Sequence, residues 1–388
     1  MASVSFFVKI WICRATLNYN LTICAIIYFS KDINLEHPVI IRSNKQKQIN
    51  AYWNIPTFQC DSHKLNFSAL AEKYGIVQND NDRFRGKFIN ILYDPGDFPA
   101  ILKTGTKTVL RNGGVPQEGN LTRHLKIFEN ILNQLIPDES FSGIGIIDFE
   151  SWRPIFRQNF GKLDEYKSIS IAIEKEKHPF WTKNLLIKEA TQRFEDAAKI
   201  FMAQTLLIAK RSRPKATWGY YAYPYCFNMS PNNMKQTCPP EVVAENGRYI
   251  RSNRKSTFKR LRAKRKLKWL FQLTDNFYPS VYIGNSSYSM VDKIKMVKGR
   301  INESIRIRNS LNVRKNIILY FWFKYQDTNK FLSKEDLLNL FTVISKSNID
   351  GVVIWGSSND VNTKQKCLEL HQYIDDVLGP ILSHILVN

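Results

Sequence analysis

The chain has no Cys-x-x-Cys pair and no cluster of histidines, so it lacks the ligand spacing of a zinc site. It has no Gly-x-Gly-x-x-Gly after its first β-like run, which removes the phosphate-cradling turn of a dinucleotide-binding sheet. No linker divides the 388 residues into separate domains. The apolar stretch Leu21 to Phe29 is too short and too weakly flanked for a membrane span. Acids are scarce beside bases, 34 against 56, and the formal net charge of +22 favours a polyanionic partner: nucleic acid, an acidic membrane surface or an acidic polysaccharide.

Apolar residues make up 44% and aromatics 13%, enough to bury a large core and to exclude wholesale disorder. Residues 1–30, with Lys9 and Arg14 ahead of the apolar stretch, read as a secretory signal interrupted by Asn18 and Asn20. Beyond it lie four cysteines, Cys60, Cys226, Cys238 and Cys367, an even set that suits disulfides in an oxidising compartment; three pairings are open. Asn-x-Ser/Thr acceptors at Asn66, Asn120, Asn228, Asn285 and Asn302 agree with an extracellular glycoprotein whose acceptors sit on surface loops.

Runs rich in β-branched and aromatic residues alternate with stretches of helical spacing, the pattern of a parallel sheet wrapped by helices. Strands are expected at Ile49 to Ile55, Phe88 to Tyr93, Ile144 to Glu150, Thr217 to Tyr223, Ser280 to Ile283, Ile317 to Phe323 and Gly351 to Trp355. Helices are expected at Leu121 to Leu135, Leu185 to Lys210, Ser289 to Leu311, Lys334 to Lys346 and Lys364 to Leu378, with Ser333 an N-cap. Seven strands alternating with helices, and no internal repeat, leave an open doubly wound sheet or a (β/α) barrel. In a barrel the chemistry gathers at the C-terminal strand ends, and here those ends carry Tyr93-Asp94, Asp148-Phe149-Glu150, Tyr221-Ala222-Tyr223 and Trp355-Gly356-Ser357-Ser358.

The strand Ile144 to Glu150 ends on two carboxylates. Strand side chains alternate, so Asp148 and Glu150 face one way and Phe149 faces the helices, with the two Cα atoms roughly 6.6 Å apart. Two acids in a partly desolvated pocket do not both ionise, and the one that keeps its proton serves as a general acid; Glu150, nearer the strand end, is the candidate. Both acids approach from one side, so no nucleophile stands on the opposite face as in a standard glycosidase pair. That geometry points to a substrate-assisted route: the 2-acetamido oxygen of a sugar attacks C1, Glu150 protonates the leaving oxygen, and Asp148 stabilises the charge growing on the acetamide. Tyr282 on a later strand is placed to donate to the acetamide oxygen. A purely structural role, with the acids capping the strand or paired to Arg153, is the competing account.

Tyr52-Trp53-Asn54-Ile55-Pro56-Thr57-Phe58, Ile91-Leu92-Tyr93-Asp94-Pro95-Gly96 and Asn112-Gly113-Gly114-Val115-Pro116-Gln117 resemble the N-terminal half of the insect venom hyaluronidase family. The resemblance continues through Ile147-Asp148-Phe149-Glu150-Ser151-Trp152-Arg153-Pro154, Trp218-Gly219-Tyr220-Tyr221-Ala222-Tyr223-Pro224-Tyr225-Cys226 and Ile354-Trp355-Gly356-Ser357-Ser358, covering roughly residues 50 to 385. It implies an α/β fold of the distorted, TIM-like (β/α) barrel type, with about seven parallel strands, outer helices and a single catalytic domain over residues 31–388. It further implies endo-hydrolysis, with retention, of β-1,4 bonds between N-acetylglucosamine and glucuronate in hyaluronan and related glycosaminoglycans such as chondroitin, by a secreted monomer with no cofactor, metal, nucleic acid or membrane span. Glu150 falls on the proton donor and Asp148 on its acetamide-orienting partner. Tyr221 and Tyr282 fall on acetamide-supporting positions, Tyr93 and Trp355 on substrate-lining ones. The implied disulfides are Cys60 with Cys367 and Cys226 with Cys238. An inactive hyaluronan-binding homologue is the alternative function.

One departure from that family is a basic insertion at residues 247–268. From Arg248 to Lys268 there are eleven Lys or Arg and no acid, which reads as a mobile loop. A retained coding segment explains it better than a polyanion tether or a nucleic-acid patch.

Overall fold

The computed structural model describes residues 49–384 apart from 106, 231–232 and 248–265. The signal-like segment and most of the basic insertion lie outside the described residues.

Seven short strands form one parallel strip: β1 (Asn50–Asn54), β2 (Ile89–Tyr93), β3 (Ile144–Asp148), β4 (Thr217–Tyr220), β5 (Asn276–Phe277), β6 (Asn316–Trp322) and β7 (Gly351–Trp355). Ladders join β2 to β3, β3 to β4, β5 to β6, β6 to β7 and β7 to β1. Between β4 and β5 the link is made by single bonds, Asp275 N to Trp218 O at 2.7 Å and Ala222 N to Tyr278 O at 2.9 Å. The order is therefore β2-β3-β4-β5-β6-β7-β1. Ile89 and Ile91 from one end of this strip share a buried cluster with Ile146, Tyr320 and Val353 from the middle and the other end. Only a strip curled round a common interior brings those residues together. The alternate residues, among them Leu92, Ile147, Leu319, Phe321, Val352 and Ile354, point outward into the larger core beneath the helices.

No ladder joins β1 to β2 among the described residues, and the segment between them serves both free edges. Asn79 Nδ2 donates to Ile89 O at 2.9 Å while its Oδ1 accepts from Ile89 N at 3.1 Å. Arg85 Nε donates to Ile91 O at 2.8 Å, and Val77 exchanges backbone bonds of 2.8 Å with Ala51 and Trp53. Edge groups that would otherwise be unpaired are thereby satisfied.

Helices cover the outside at Leu121–Leu135, Lys183–Ser212, Met290–Asn309, Lys334–Ser345 and Lys364–Tyr373, each close to its expected span. Ser333 caps its helix by accepting from Asp336 N at 3.1 Å. The last helix stops five residues short of its expected end, where a π-helical turn, Ile374–Leu378, takes over. Three further departures have local causes. The fifth strand was expected at Ser280 to Ile283 but lies at Asn276–Phe277; Pro279 has no N–H to give, so beyond it pairing with β6 persists only as Tyr320 N to Pro279 O and Val281 N to Tyr320 O. Strands β3 and β4 end at Asp148 and Tyr220, before Glu150 and Tyr223, and Ala222 turns the chain with φ of +68°. Helix Asp164–Lys177 and the exposed hairpin Ala100–Thr104/Lys107–Arg111 were not anticipated.

Cys60 is bonded to Cys367 and Cys226 to Cys238, the pairing the resemblance implied. Among the Asn acceptors, Asn66, Asn120 and Asn302 are exposed and Asn285 is half-buried, though Asn302 lies within a helix rather than a loop. Asn228 must be struck out as a surface acceptor. It is buried, its Nδ2 donates to Lys235 O and Met296 O, and its Oδ1 accepts from Arg300, so the amide nitrogen has neither a free hydrogen nor room for a glycan. No helix among the described residues is long and apolar enough to cross a membrane.

Candidate active site

At the C-terminal ends of the strands opens a cavity of about 330 Å³, lined by Asp148, Glu150, Tyr221, Tyr225, Ser280, Tyr282, Arg300, Tyr320, Gln326 and Trp355. Its construction starts from Phe149. That ring is buried against Phe98 at 4.0 Å between centroids and against Trp152 at 4.7 Å, while the Trp152 indole donates to Pro99 O at 2.8 Å. With Phe149 locked outward, the residues on either side must face in, and both carboxylates reach the cavity although the regular strand has ended before Glu150.

Neither carboxylate has an ion-pair or hydrogen-bond partner among the described residues. Burial therefore acts on them nearly unopposed. The Asp148 carboxyl is pushed up to about 8, first by desolvation and then by the negative charges of Glu150 and Asp94. Glu150 is also raised by desolvation, but the cationic Arg153 pulls it back. The stronger hold on the proton at rest is thus at Asp148 rather than at Glu150, where sequence reasoning placed it. Asp148 stands deeper and faces two anions, whereas Glu150 sits at the exposed strand end and faces a cation. Asp94 is itself neutralised by a two-pronged bond from Arg111, at 2.6 and 2.8 Å.

Arg153 forms no ion pair with either acid. Its guanidinium lies over three rings, Phe160 at 5.0 Å, Tyr225 at 5.1 Å and Phe227 at 4.9 Å. The structural account in its ion-pair form, with the acids bonded to Arg153, does not hold.

The expected aromatic residues converge. The rings of Tyr221 and Tyr282 lie 6.4 Å apart between centroids, and burial raises both hydroxyls well above their ordinary value, so they remain protonated donors. Tyr282 stacks on Trp355, with centroids 5.7 Å apart. Tyr93 lies outside the cavity wall proper, on the rim at 43% exposure, and its hydroxyl accepts from the Trp355 indole at 2.9 Å. Phe84 stacks on its other face. Sequence reasoning missed Arg300 and Gln326. Arg300 comes from mid-helix, donates to Ser280 O at 2.6 Å and to Asn228 Oδ1 at 3.2 Å, and burial lowers it to about 10. Nothing in the local pattern of helix Met290–Asn309 marks that one arginine as inward-facing.

The described residues contain no group of three metal-ligating side chains. The buried His124 is structural: its Nδ1 accepts from Asp97 N at 2.9 Å, its Nε2 meets Thr205 Oγ1 at 2.8 Å, and burial lowers its pKa to about 3, which keeps it neutral.

The family model described as hyaluronidase, glycoside hydrolase family 56, matches residues 37–388. Hyaluronidase of Apis mellifera is 45% identical over 345 residues, covering 88% of this chain and 85% of that protein. Hyaluronidase B of Vespa velutina is 44% identical over 347 residues, covering 88% of this chain and 98% of that protein. The crystal structure of bee venom hyaluronidase in complex with a hyaluronic acid tetramer superposes with a TM-score of 0.81 at 45% identity, covering 87% of this chain and 99% of that chain.

Proposed function

The chain belongs to the hyaluronidase family, and from that premise we propose that it is a secreted endo-glycosidase that hydrolyses β-1,4 bonds between N-acetylglucosamine and glucuronate in hyaluronan, with retention. The observation that carries the reading is a pair of raised carboxyls, without partners, facing one cavity from one side. Structural acids are paired; an unpaired pair in a cleft that keeps one proton at neutral pH, as Asp148 raised to about 8 does, suits proton transfer.

The N-acetylglucosamine ring sits against Trp355 and Tyr282, with its 2-acetamido group between Asp148 and the tyrosine pair. The acetamide N–H meets Asp148, and the Tyr221 and Tyr282 hydroxyls hold the acetamide oxygen on C1. As that oxygen attacks, positive charge grows on the acetamide and favours ionised Asp148, so the proton of the pair is drawn to Glu150. Glu150 delivers it to the departing glucuronate oxygen, the C1–O bond breaks, and an oxazolinium ring remains. Glu150, now a carboxylate, takes a proton from water as the water attacks C1 from the vacated face, reopening the acetamide. The two inversions sum to retention. Two disulfides and the likeness to bee venom hyaluronidase support an extracellular site of action.

The test is hyaluronan chain length after incubation with wild type and Glu150→Gln, together with the anomer first released, read by proton NMR. Depolymerisation giving the β-anomer, lost in the variant, is expected. Equal cleavage by both proteins overturns the assignment of the donor.

A further inference from the structure

We propose that Arg153 is a positioning residue that sets the upper pH limit of turnover, a fixed cation held beside Glu150 by a cage of three aromatic rings. The inference rests on Glu150 as the proton donor.

The cage is built specifically. Phe160, Tyr225 and Phe227 each place a ring about 5 Å from the guanidinium carbon, and Tyr225 and Phe227 are stacked on one another, 5.0 Å apart with 5° between planes. Tyr225 also lines the cavity, so the cage is part of the cleft wall. Asn159 fixes the backbone of Arg153 from both sides, accepting from its N at 2.9 Å and donating to its O at 2.9 Å. Two features are costly unless the cage is used. Phe227 holds φ of +51°, a conformation unfavourable for any residue but glycine, and Phe160 stays 46% exposed with its ring on the cation. Strain of this kind accumulates where a side chain must be held for function.

What the cage encloses is a charge without an anion. Arg153 donates through Nη1 to Gln158 O at 2.6 Å, its Nε has no partner, and no carboxylate pairs with it among the described residues. An ordinary surface arginine would be paired or solvated; aromatic faces stabilise a cation without cancelling its field. Arg153 follows Glu150 by three residues, and Tyr225, one of its rings, lines the cavity together with Glu150, so the charge is placed to favour the ionised form of that carboxyl. The other ionisable groups felt there are Asp148 on β3 and the hydroxyls of Tyr221, Tyr223 and Tyr225 beyond β4, while Tyr282, Tyr320 and Arg300 line the same cavity. Ionised Asp148 would oppose ionisation of Glu150, the buried tyrosine hydroxyls stay protonated and carry no charge, and Arg300 is turned to Ser280 and Asn228, so Arg153 is the cation that favours it.

Removing the cation leaves Glu150 protonated to higher pH. In Arg153→Met the alkaline limb of the kcat profile on hyaluronan, which reports the complex in which the pair's proton has passed to Glu150, moves up by about one pH unit. In Arg153→Lys, which keeps the charge against the rings, the limb returns to within a few tenths of wild type even if kcat falls. A merely structural arginine would lower activity at every pH and leave the limb in place. Phe160→Ala, which removes only an exposed ring, moves the limb in the same direction by less, and carries the test should Arg153→Met not fold. An unmoved limb in Arg153→Met, or in Phe160→Ala where only that variant folds, overturns the inference, as does an equal shift in Met and Lys variants. Glu150→Gln is run beside them: if it retains turnover the donor assignment fails, whereas an inactive Glu150→Gln with an unmoved limb in Arg153→Met defeats this inference alone.

Discussion

Two regions bury acids in opposite ways. In the helix layer Asp336 is closed in by Lys293 Nζ at 2.7 Å, the Tyr325 hydroxyl and the Ser333 cap, and Glu174 is held by Arg193. Asp360 likewise accepts from Lys324 at 2.8 Å and from Ser357 N at 2.8 Å, which ties down the loop beyond Trp355. At the cleft, Asp148 and Glu150 have no such company, and their carboxyls are raised. The same residue type is ion-paired in one place and left unpaired in the other, where the proposed mechanism uses it as a reagent, and the difference is whether a cation was built to bond with it.

The largest expected effect breaks the cleft side of this contrast. Glu150→Gln lowers kcat/KM on hyaluronan by on the order of a thousandfold with an unchanged melting temperature, since positioned proton transfer contributes in that range. Lys293→Met attacks the other side: it strands Asp336 and costs about 3–5 kcal/mol in denaturant unfolding, while turnover per folded molecule is kept.

Two smaller effects sharpen the contrast through pH. Asp148 is raised to about 8 from an ordinary value near 4, so the stabilisation from its protonated form is full in acid and drains away as pH rises toward 8. Asp148→Asn abolishes that slope, melts higher than wild type above pH 8, and is catalytically poor. Asp82 is a like case away from the acid pair. It accepts from Thr57 at 2.8 Å and from Gln78, its Oδ2 has no partner, and desolvation raises it to about 7. Thermal melts of Asp82→Asn between pH 5 and 8 lose part of the wild-type decline, and hyaluronan cleavage stays near wild type. A large activity loss there would mean that a raised buried acid does not by itself distinguish the cleft.

Much of this was legible beforehand, for a physical reason. Alternation in Ile144 to Glu150 is a backbone property, so it placed both acids on one face even though the ladder ends at Asp148. Helix Lys334–Ser345 was marked by its Ser333 cap. The hairpin at Ala100–Arg111 carries lysines and threonines with both faces largely exposed, so no apolar period announced it. Helix Asp164–Lys177 buries only Tyr166, Ser170 and Glu174, two of them polar, which hides its inner face from a hydrophobic reading. Arg300, Gln326 and two of the rings around Arg153, Tyr225 and Phe227, arrive from distant segments, and their meeting is a product of tertiary packing rather than of local spacing.

The pairing of β1 with β7 has a consequence for biosynthesis. That first strand finds its hydrogen-bonding neighbour in β7, some 300 residues later, and Cys60 waits for Cys367 in the same way, across a separation of 307. A ribosome delivering the chain from its beginning leaves Asn50–Asn54 without its sheet partner until nearly everything else has emerged. The sheet closes only when its last strand returns to its first, and the oxidation that seals that junction has to wait for Cys367 to be made.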